Sequence, residues 1–130
     1  MIFALFAGSC NEPSVYDIAE FESVEDATEA AYDCAIEDYQ SYEGYHGLPD
    51  KEMIMDNPEE YGLSEDYRES ELEDAYMDAV ESWIQYWAQE IHNLDELQDF
   101  CEEYGLDYDL YSYLFEEEIK YNRLLQQNSR

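Results

Sequence analysis

The distribution of charge is the feature of this sequence that most restricts its fold. The chain of 130 residues carries 35 Asp and Glu against 5 Lys and Arg, which gives a formal net charge of -30. All 35 acids lie between Glu12 and Glu118, where the only basic residues are Lys51 and Arg68. Few internal ion pairs can therefore form, and the crowded like charges repel one another in any compact state. A working surface of dense negative charge is expected.

The composition nevertheless predicts a folded domain. Hydrophobic residues make up 45% of the chain and aromatic residues 16%, whereas disordered acidic segments lack such side chains. The length fits one domain with a real core. Solubility alone needs a net charge of only about 2–8 in a small domain, so the excess acid indicates a function.

The cysteines and the apolar start point to a reducing compartment. Cys10, Cys34 and Cys101 are odd in number and show no C-x-x-C spacing, so we expect buried thiols and neither disulfides nor zinc. The opening MIFALFAGSC lacks a basic region and is too short to span a bilayer. A cytoplasmic location in a host cell, away from membranes, is therefore predicted.

Local patterns predict an α+β fold that is mainly helical, in a single domain covering residues 1–130. Two extended runs within about residues 1–21 indicate a short antiparallel β-hairpin. Ser23 with Asp26, and Asn93 with Glu96, resemble helix starts, and Gly105 resembles a helix end. One further helical turn is expected around Lys51 to Met55. The predicted helices span about 24–42, 64–92, 94–104 and 108–127.

The predicted helix 64–92 is expected to be the central core helix. Ser64 is its expected cap, and its apolar positions form one broad stripe: Leu72, Tyr76, Ala79, Val80, Trp83, Ile84, Trp87 and Ile91. Leu72, Trp83, Ile84 and Trp87 are expected to be buried. Alanine at either tryptophan should then cost about 3–5 kcal/mol.

Two series of acids recur every three or four residues and are the candidate partner-binding residues. They are Glu22, Asp26, Glu29, Asp33 and Glu37 in the first helix, and Glu71, Asp74, Asp78 and Glu81 in the long helix. Such neighbours lie about 5–6 Å apart, of the same order as phosphates along one nucleic-acid strand. An ordinary solvated helix face is the alternative, but such faces normally mix both signs of charge.

The overall charge density is similar to that of DNA. A compact domain of this length has a radius of gyration of roughly 14 Å and a diameter of about 36 Å. Duplex DNA of that length holds about 21 phosphates, fewer than the formal charge of -30 carried here. A basic DNA-binding groove would therefore meet a comparable field.

Fourteen tyrosines are the second unusual feature of the composition. Several of them stand beside an acid or two residues from one in polar segments, namely Tyr39, Tyr42, Tyr45, Tyr61 and Tyr67. Tyrosine is enriched in binding hot spots, so as a group they favour an interface. For any single tyrosine, a place at the edge of the core is the alternative.

No pattern of a metal site or an enzyme is convincing. Asp107, Asp109 and Glu118 fit positions one, three and twelve of a calcium loop, but Tyr111 and Ser112 replace the expected ligand and glycine. His46 and His92 stand apart from any ligand cluster. No nucleophile elbow, phosphate loop or kinase motif occurs. We therefore expect no catalytic residues, no metal and no cofactor.

Small size, extreme acidity, helices with a short N-terminal strand pair and tyrosine-rich acidic segments together resemble the DNA-mimic inhibitors of phages and mobile elements. This class includes the antirestriction proteins ArdA and Ocr and several acidic anti-CRISPR proteins. The resemblance covers overall character, so no residue role is transferred from it. It implies an inhibitor that occupies the DNA-binding surface of a restriction enzyme or CRISPR effector.

The predicted partner is thus a basic nucleic-acid-binding protein or complex. Direct binding of nucleic acid is not expected, because a body of net charge -30 repels phosphate. Two other interpretations remain: an acidic chaperone or adaptor for another basic protein, and an ordinary protein of a salt-adapted organism. The sequence leaves homodimerisation open.

Overall fold

A single buried strand organises the structure, which is a computed structural model that describes residues 1–9, 13–45 and 47–128. Strand β1 spans Ile2–Gly8, and all seven of its residues are buried. Such a continuously apolar strand is typical of a sheet that is covered on both faces.

Two antiparallel partners flank β1. Strand β2 (Ser14–Glu20) pairs on one side, and β3 (Gln85–Ile91) pairs on the other, so the described strands have the order β2-β1-β3. The predicted N-terminal hairpin is confirmed by the pairing of β1 with β2. Residues 10–12, which connect these strands and include Cys10, lie outside the described part of the chain.

Helices cover both faces of the sheet. Helix α1 (Val24–Tyr42) places Ala27 and Ala31 against Phe3 and Leu5. Helix α4 (Leu94–Tyr104) covers the opposite face, and its buried residues pack on β1 and its neighbours: Leu97, Phe100 and Cys101. The small alanine side chains let α1 pack close to the sheet.

A third apolar cluster joins the end of α1 to two further helices. Helix α2 spans Lys51–Asp56 and helix α3 spans Glu69–Trp83. Tyr39 lies at the centre of this cluster, fully buried, and its hydroxyl donates a hydrogen bond to the Pro49 carbonyl. The α+β fold class, mainly helical, is therefore confirmed.

Local capping sets the ends of two helices where the sequence predicts them. The Ser23 hydroxyl accepts the Asp26 N–H at 3.1 Å, and α1 covers the predicted residues 24–42. The Asn93 side chain accepts the Glu96 N–H at 2.9 Å, and α4 covers the predicted 94–104. Gly105 ends α4 with a φ of 67°, which a glycine adopts without strain.

The prediction of one helix over 64–92 is wrong. Helix α3 begins at Glu69 without a side-chain cap and ends at Trp83, after which the chain forms β3. The physical reason is that buried β1 needs hydrogen-bonding partners for its backbone along its second edge. The aromatic residues of 85–91 suit a strand as well as a helix.

Because residues 85–91 form a strand instead of a helix, both tryptophans are more exposed than the sequence predicts. Leu72 and Ile84 are buried as predicted, but Trp83 is 41% exposed and Trp87 is 43% exposed. The expected burial of the tryptophans is therefore wrong. The cost of about 3–5 kcal/mol for replacing them presumed that burial, so a smaller cost is now expected.

The predicted helix 108–127 is interrupted. Asp107 caps a short helix α5 (Tyr108–Tyr111), a 3₁₀ turn follows over Ser112–Phe115, and α6 runs over Glu116–Asn128. Residues 108, 111 and 114 all pack on the α4 side of the core. Short 3₁₀ turns of this kind commonly connect helices.

Candidate partner-binding surface

The acids of α1 lie on the side of the helix opposite to its buried face. The buried residues of α1 are Ala27, Ala31, Ala35 and Tyr39. At 3.6 residues per turn the acids project away from them, and all are exposed: Asp26, Glu29, Asp33 and Glu37. Glu22 is also exposed but lies in the turn before the capping residue Ser23. These five residues are called the α1 stripe below.

Helix α3 repeats the same arrangement. Its buried residues are Leu72, Ala75, Tyr76 and Val80. The acids of the second series, called the α3 stripe below, lie on the other side and are exposed: Glu71, Asp74, Asp78 and Glu81. All nine predicted partner-binding carboxylates thus reach solvent.

The basic side chains that the structure describes do not pair with either stripe. Lys51 pairs with Glu73, and Lys120 lies 3.4 Å from Glu116, but neither acid belongs to a stripe. Within residues 1–9, 13–45 and 47–128, none of the nine stripe carboxylates forms an ion pair. The stripes therefore present their negative charge to solvent and to any basic partner.

A tyrosine joins the two stripe-bearing helices. The Tyr32 hydroxyl of α1 donates a hydrogen bond of 3.0 Å to the Glu81 carboxylate at the end of the α3 stripe. The Tyr32 ring also meets Tyr86 edge-on at 5.2 Å. The hydrogen bond to Glu81, and then partial burial, raise the pKa of Tyr32. Tyr32 therefore stays a neutral donor that holds Glu81 in place.

The tyrosines of the polar segments divide between core and surface. Tyr39 is buried, and Tyr61 and Tyr67 pack on the same apolar cluster, so these three support the core. Tyr42 is 45% exposed and Tyr45 is 69% exposed, which leaves their rings accessible to a partner. The interface interpretation therefore applies to only part of the group.

The calcium alternative has no geometric support. The Asp107 carboxylate accepts the Asp109 N–H at 3.0 Å, and the Glu118 carboxylate accepts the Leu94 N–H at 2.9 Å. Both acids thus cap helices instead of sharing a loop. In the described part of the chain, no three His, Cys, Asp or Glu side chains are arranged to hold a metal ion. His46 lies outside the described residues.

Two cysteines lie in the described part of the chain, Cys34 partly buried and Cys101 buried. Burial raises the pKa of the Cys34 and Cys101 thiols, and nearby carboxylates raise it further. A raised pKa keeps the reactive thiolate scarce. These cysteines are therefore poor nucleophiles.

His92 forms a small exposed charge network at the start of α4. Its Nδ1 atom lies 2.8 Å from Glu96, and its Nε2 atom lies 3.3 Å from Glu90. Its hydrogen bond to Glu96 raises the pKa of His92, while the His92 backbone N–H and ring lower the pKa of Glu96. The contact therefore stabilises the fold only between the lowered pKa of Glu96 and the raised pKa of His92. The stabilisation is lost as the pH rises through the pKa of His92 or falls through the pKa of Glu96.

Replacing Glu96 with glutamine is expected to move the pKa of His92 down toward its ordinary value of about 6.5, because the charged acceptor is removed. The measurement is an NMR titration of the His92 ring. Asp95→Asn is the control, since it removes one charge from the same turn at an exposed neighbour. Equal shifts in both variants would show that the general negative field, and not the Glu96 contact, sets this pKa.

An exposed aromatic edge is the feature that sequence reasoning missed. Trp83, Tyr86 and Trp87 are each about two-fifths exposed at the junction of α3 and β3. The available signal was the uncharged run from Ser82 to Gln89 in so acidic a chain. Assigning that run to a buried helix concealed it.

The described helices include none that is both long enough and apolar enough to cross a membrane. Comparison of the chain with protein-family models, with curated proteins and with solved structures finds no match.

Proposed function

We propose that this protein is a DNA-mimicking inhibitor, which occupies the nucleic-acid-binding surface of a host defence complex such as a restriction enzyme or a CRISPR effector. The observation that carries the proposal is the pair of exposed acidic stripes on two helices joined through Tyr32 and Glu81, whose carboxylates form no ion pair within the described residues. Acidic residues three or four positions apart on a helix have Cβ atoms about 5–6 Å apart, of the same order as the phosphate spacing along one strand.

The fold suits this role because it holds the carboxylates on rigid elements. Helix α1 is fixed to the sheet by Ala27 and Ala31, and α3 is fixed by its buried face. A surface that is already ordered loses less conformational freedom on binding, so more of the electrostatic attraction appears as affinity. The same field speeds association with a basic partner.

The mimic proposal is distinguished from the acidic chaperone by competition with DNA. A DNA mimic and duplex DNA bind the same groove and exclude each other, whereas a chaperone for another basic surface need not compete with DNA. The test uses purified restriction and CRISPR complexes with a labelled duplex that carries their recognition sequence.

The protein is expected to prevent duplex binding by at least one such complex, and excess unlabelled duplex should in turn release the protein. A gel-shift titration measures both directions. A heat-unfolded sample serves as the control, because it keeps the charge and loses the stripe geometry. A complex in which the target holds the protein and the duplex at the same time would contradict the proposal. Measurable affinity of the protein itself for DNA at physiological salt would also contradict it.

A further inference from the structure

The two outer edges of the sheet differ, and β2 is the protected one. The pairing of β2 with β1 shifts register between Leu5 and Phe6, which marks a bulge. Asp17 and Glu20 add charge to this strand, and the Asp17 carboxylate accepts the Ile18 N–H at 2.9 Å. Bulges and charged side chains are the usual means by which proteins prevent another strand from adding to a sheet edge.

Strand β3 lacks these protections. Its register with β1 runs without a shift from Ile91 opposite Ile2 to Gln85 opposite Gly8. Glu90 is its only charged residue, and the structure places no described strand on its outer side. Regular backbone donors and acceptors along this edge are therefore available to an added strand.

Each face of the β3 edge carries an exposed aromatic ring. Trp87 stacks on Phe6 at 4.6 Å on the α4 face, and 43% of it remains exposed. Tyr86 contacts Tyr32 on the α1 face and remains 38% exposed. Rings held in this way can cover the side chains of an added strand and attract cations to their faces.

An acidic hollow adjoins the same edge on the α4 face. Its volume is about 240 Å³, and its lining includes Ile91, His92, Glu96, Asp99, Phe100 and Glu103. Asp99 and Glu103 are exposed and one helical turn apart, whereas Ile91 and Phe100 are buried and apolar. A long basic side chain that enters the hollow would cover the small exposed parts of these two apolar residues with its methylene groups and direct its charge to the carboxylates.

We infer that the edge of β3 binds an extended, arginine- or lysine-containing segment of the partner protein, which adds to the sheet as a further strand and inserts a basic side chain into the acidic hollow. The inference rests on the proposed function in taking the partner to be basic. Charge complementarity selects this occupant. A second copy would instead bring two bodies of net charge -30 together.

The test uses a fluorescein-labelled octapeptide of alternating arginine and valine as the probe. Anisotropy titrations should show that Asp99→Asn with Glu103→Gln weakens binding at least tenfold. The matched control is Glu52→Gln with Asp56→Asn, two exposed acids also one turn apart but on α2 and outside both stripes, which should weaken it less than threefold. An octapeptide N-methylated at alternate residues keeps its charge but loses strand pairing, so it should bind at least tenfold more weakly.

Amide hydrogen exchange locates the peptide. Bound peptide should slow exchange within residues 85–91, while the other sheet edge, at residues 14–20, should exchange as before. Two results together would show diffuse electrostatic attraction and overturn the inference. They are an equal loss of peptide affinity in the Asp99 and Glu103 variant and in its control, and equal affinity of the N-methylated and unmodified peptides. Sedimentation tests the alternative occupant, a second copy of the chain. A dimer that forms without peptide and slows amide exchange within residues 85–91 would overturn the inference.

The two proposals can fail separately. Converting the whole α1 stripe to amides should weaken target binding by about 5- to 5,000-fold, while leaving octapeptide binding within threefold. Loss of peptide binding in the stripe variant, with full binding by the Asp99 and Glu103 double variant, would overturn the β3 site and leave the mimic surface intact.

Discussion

Replacing Phe6 with alanine is expected to lower the free energy of unfolding by about 3–5 kcal/mol. Phe6 lies in the central strand and is only 2% exposed. Its ring stacks on Trp87 and meets Phe100 and Tyr104 edge-on at 5.8 Å and 5.3 Å. Because helices pack on both faces of the sheet around β1, the cavity left by removal of the Phe6 ring cannot close easily. A domain stable by about 5–15 kcal/mol would lose a large part of its stability.

Trp83→Ala is the matched control for this prediction. Trp83 is a larger side chain, but 41% of it is exposed, so its removal should cost no more than about 1–2 kcal/mol. Urea unfolding followed by far-ultraviolet circular dichroism measures both variants without depending on tryptophan fluorescence. A larger loss for Trp83 than for Phe6 would contradict the position of the core described above.

Conversion of the α1 stripe to amides is expected to weaken target binding by about 5- to 5,000-fold. Exposed charge pairs contribute about 0.2–1 kcal/mol each, so five of them together account for about 1–5 kcal/mol. Single substitutions should change affinity little. The α3 stripe should behave similarly with its four acids. Each variant should stay folded or become slightly more stable, because like-charged neighbours on a helix repel.

The matched control removes five exposed acids that lie outside both stripes: Glu52, Asp56, Glu59, Glu60 and Glu65. It changes the net charge equally, so any difference from the α1 variant reports the position of the charge. Target binding is titrated at several salt concentrations for the parent protein and each variant. Affinity of the parent should fall steeply with salt, and the α1 variant should show a shallower fall. Salt-independent affinity, or equal losses in control and stripe variants, would point to a conventional apolar interface.

The sequence alone determined the features that depend on near neighbours. Capping by Ser23 and Asn93 acts within three residues, so the starts of α1 and α4 were predictable. The helical period alone placed the acids of both stripes opposite the buried faces, whichever elements pack there. The burial of Leu72 followed from the same period.

The features that depend on distant partners were decided by tertiary structure. Ile84, Trp87 and Ile91 fit the period of a helix, yet residues 85–91 form a strand because β1 requires pairing along its second edge. That pairing joins Ile2 to Ile91, and no local pattern reports it. The hydrogen bond from Tyr32 to Glu81 and the open, aromatic edge of β3 arise in the same way. Local sequence fixes which side of an element is apolar, whereas the backbone hydrogen bonds of a buried strand decide which segment must pair with it.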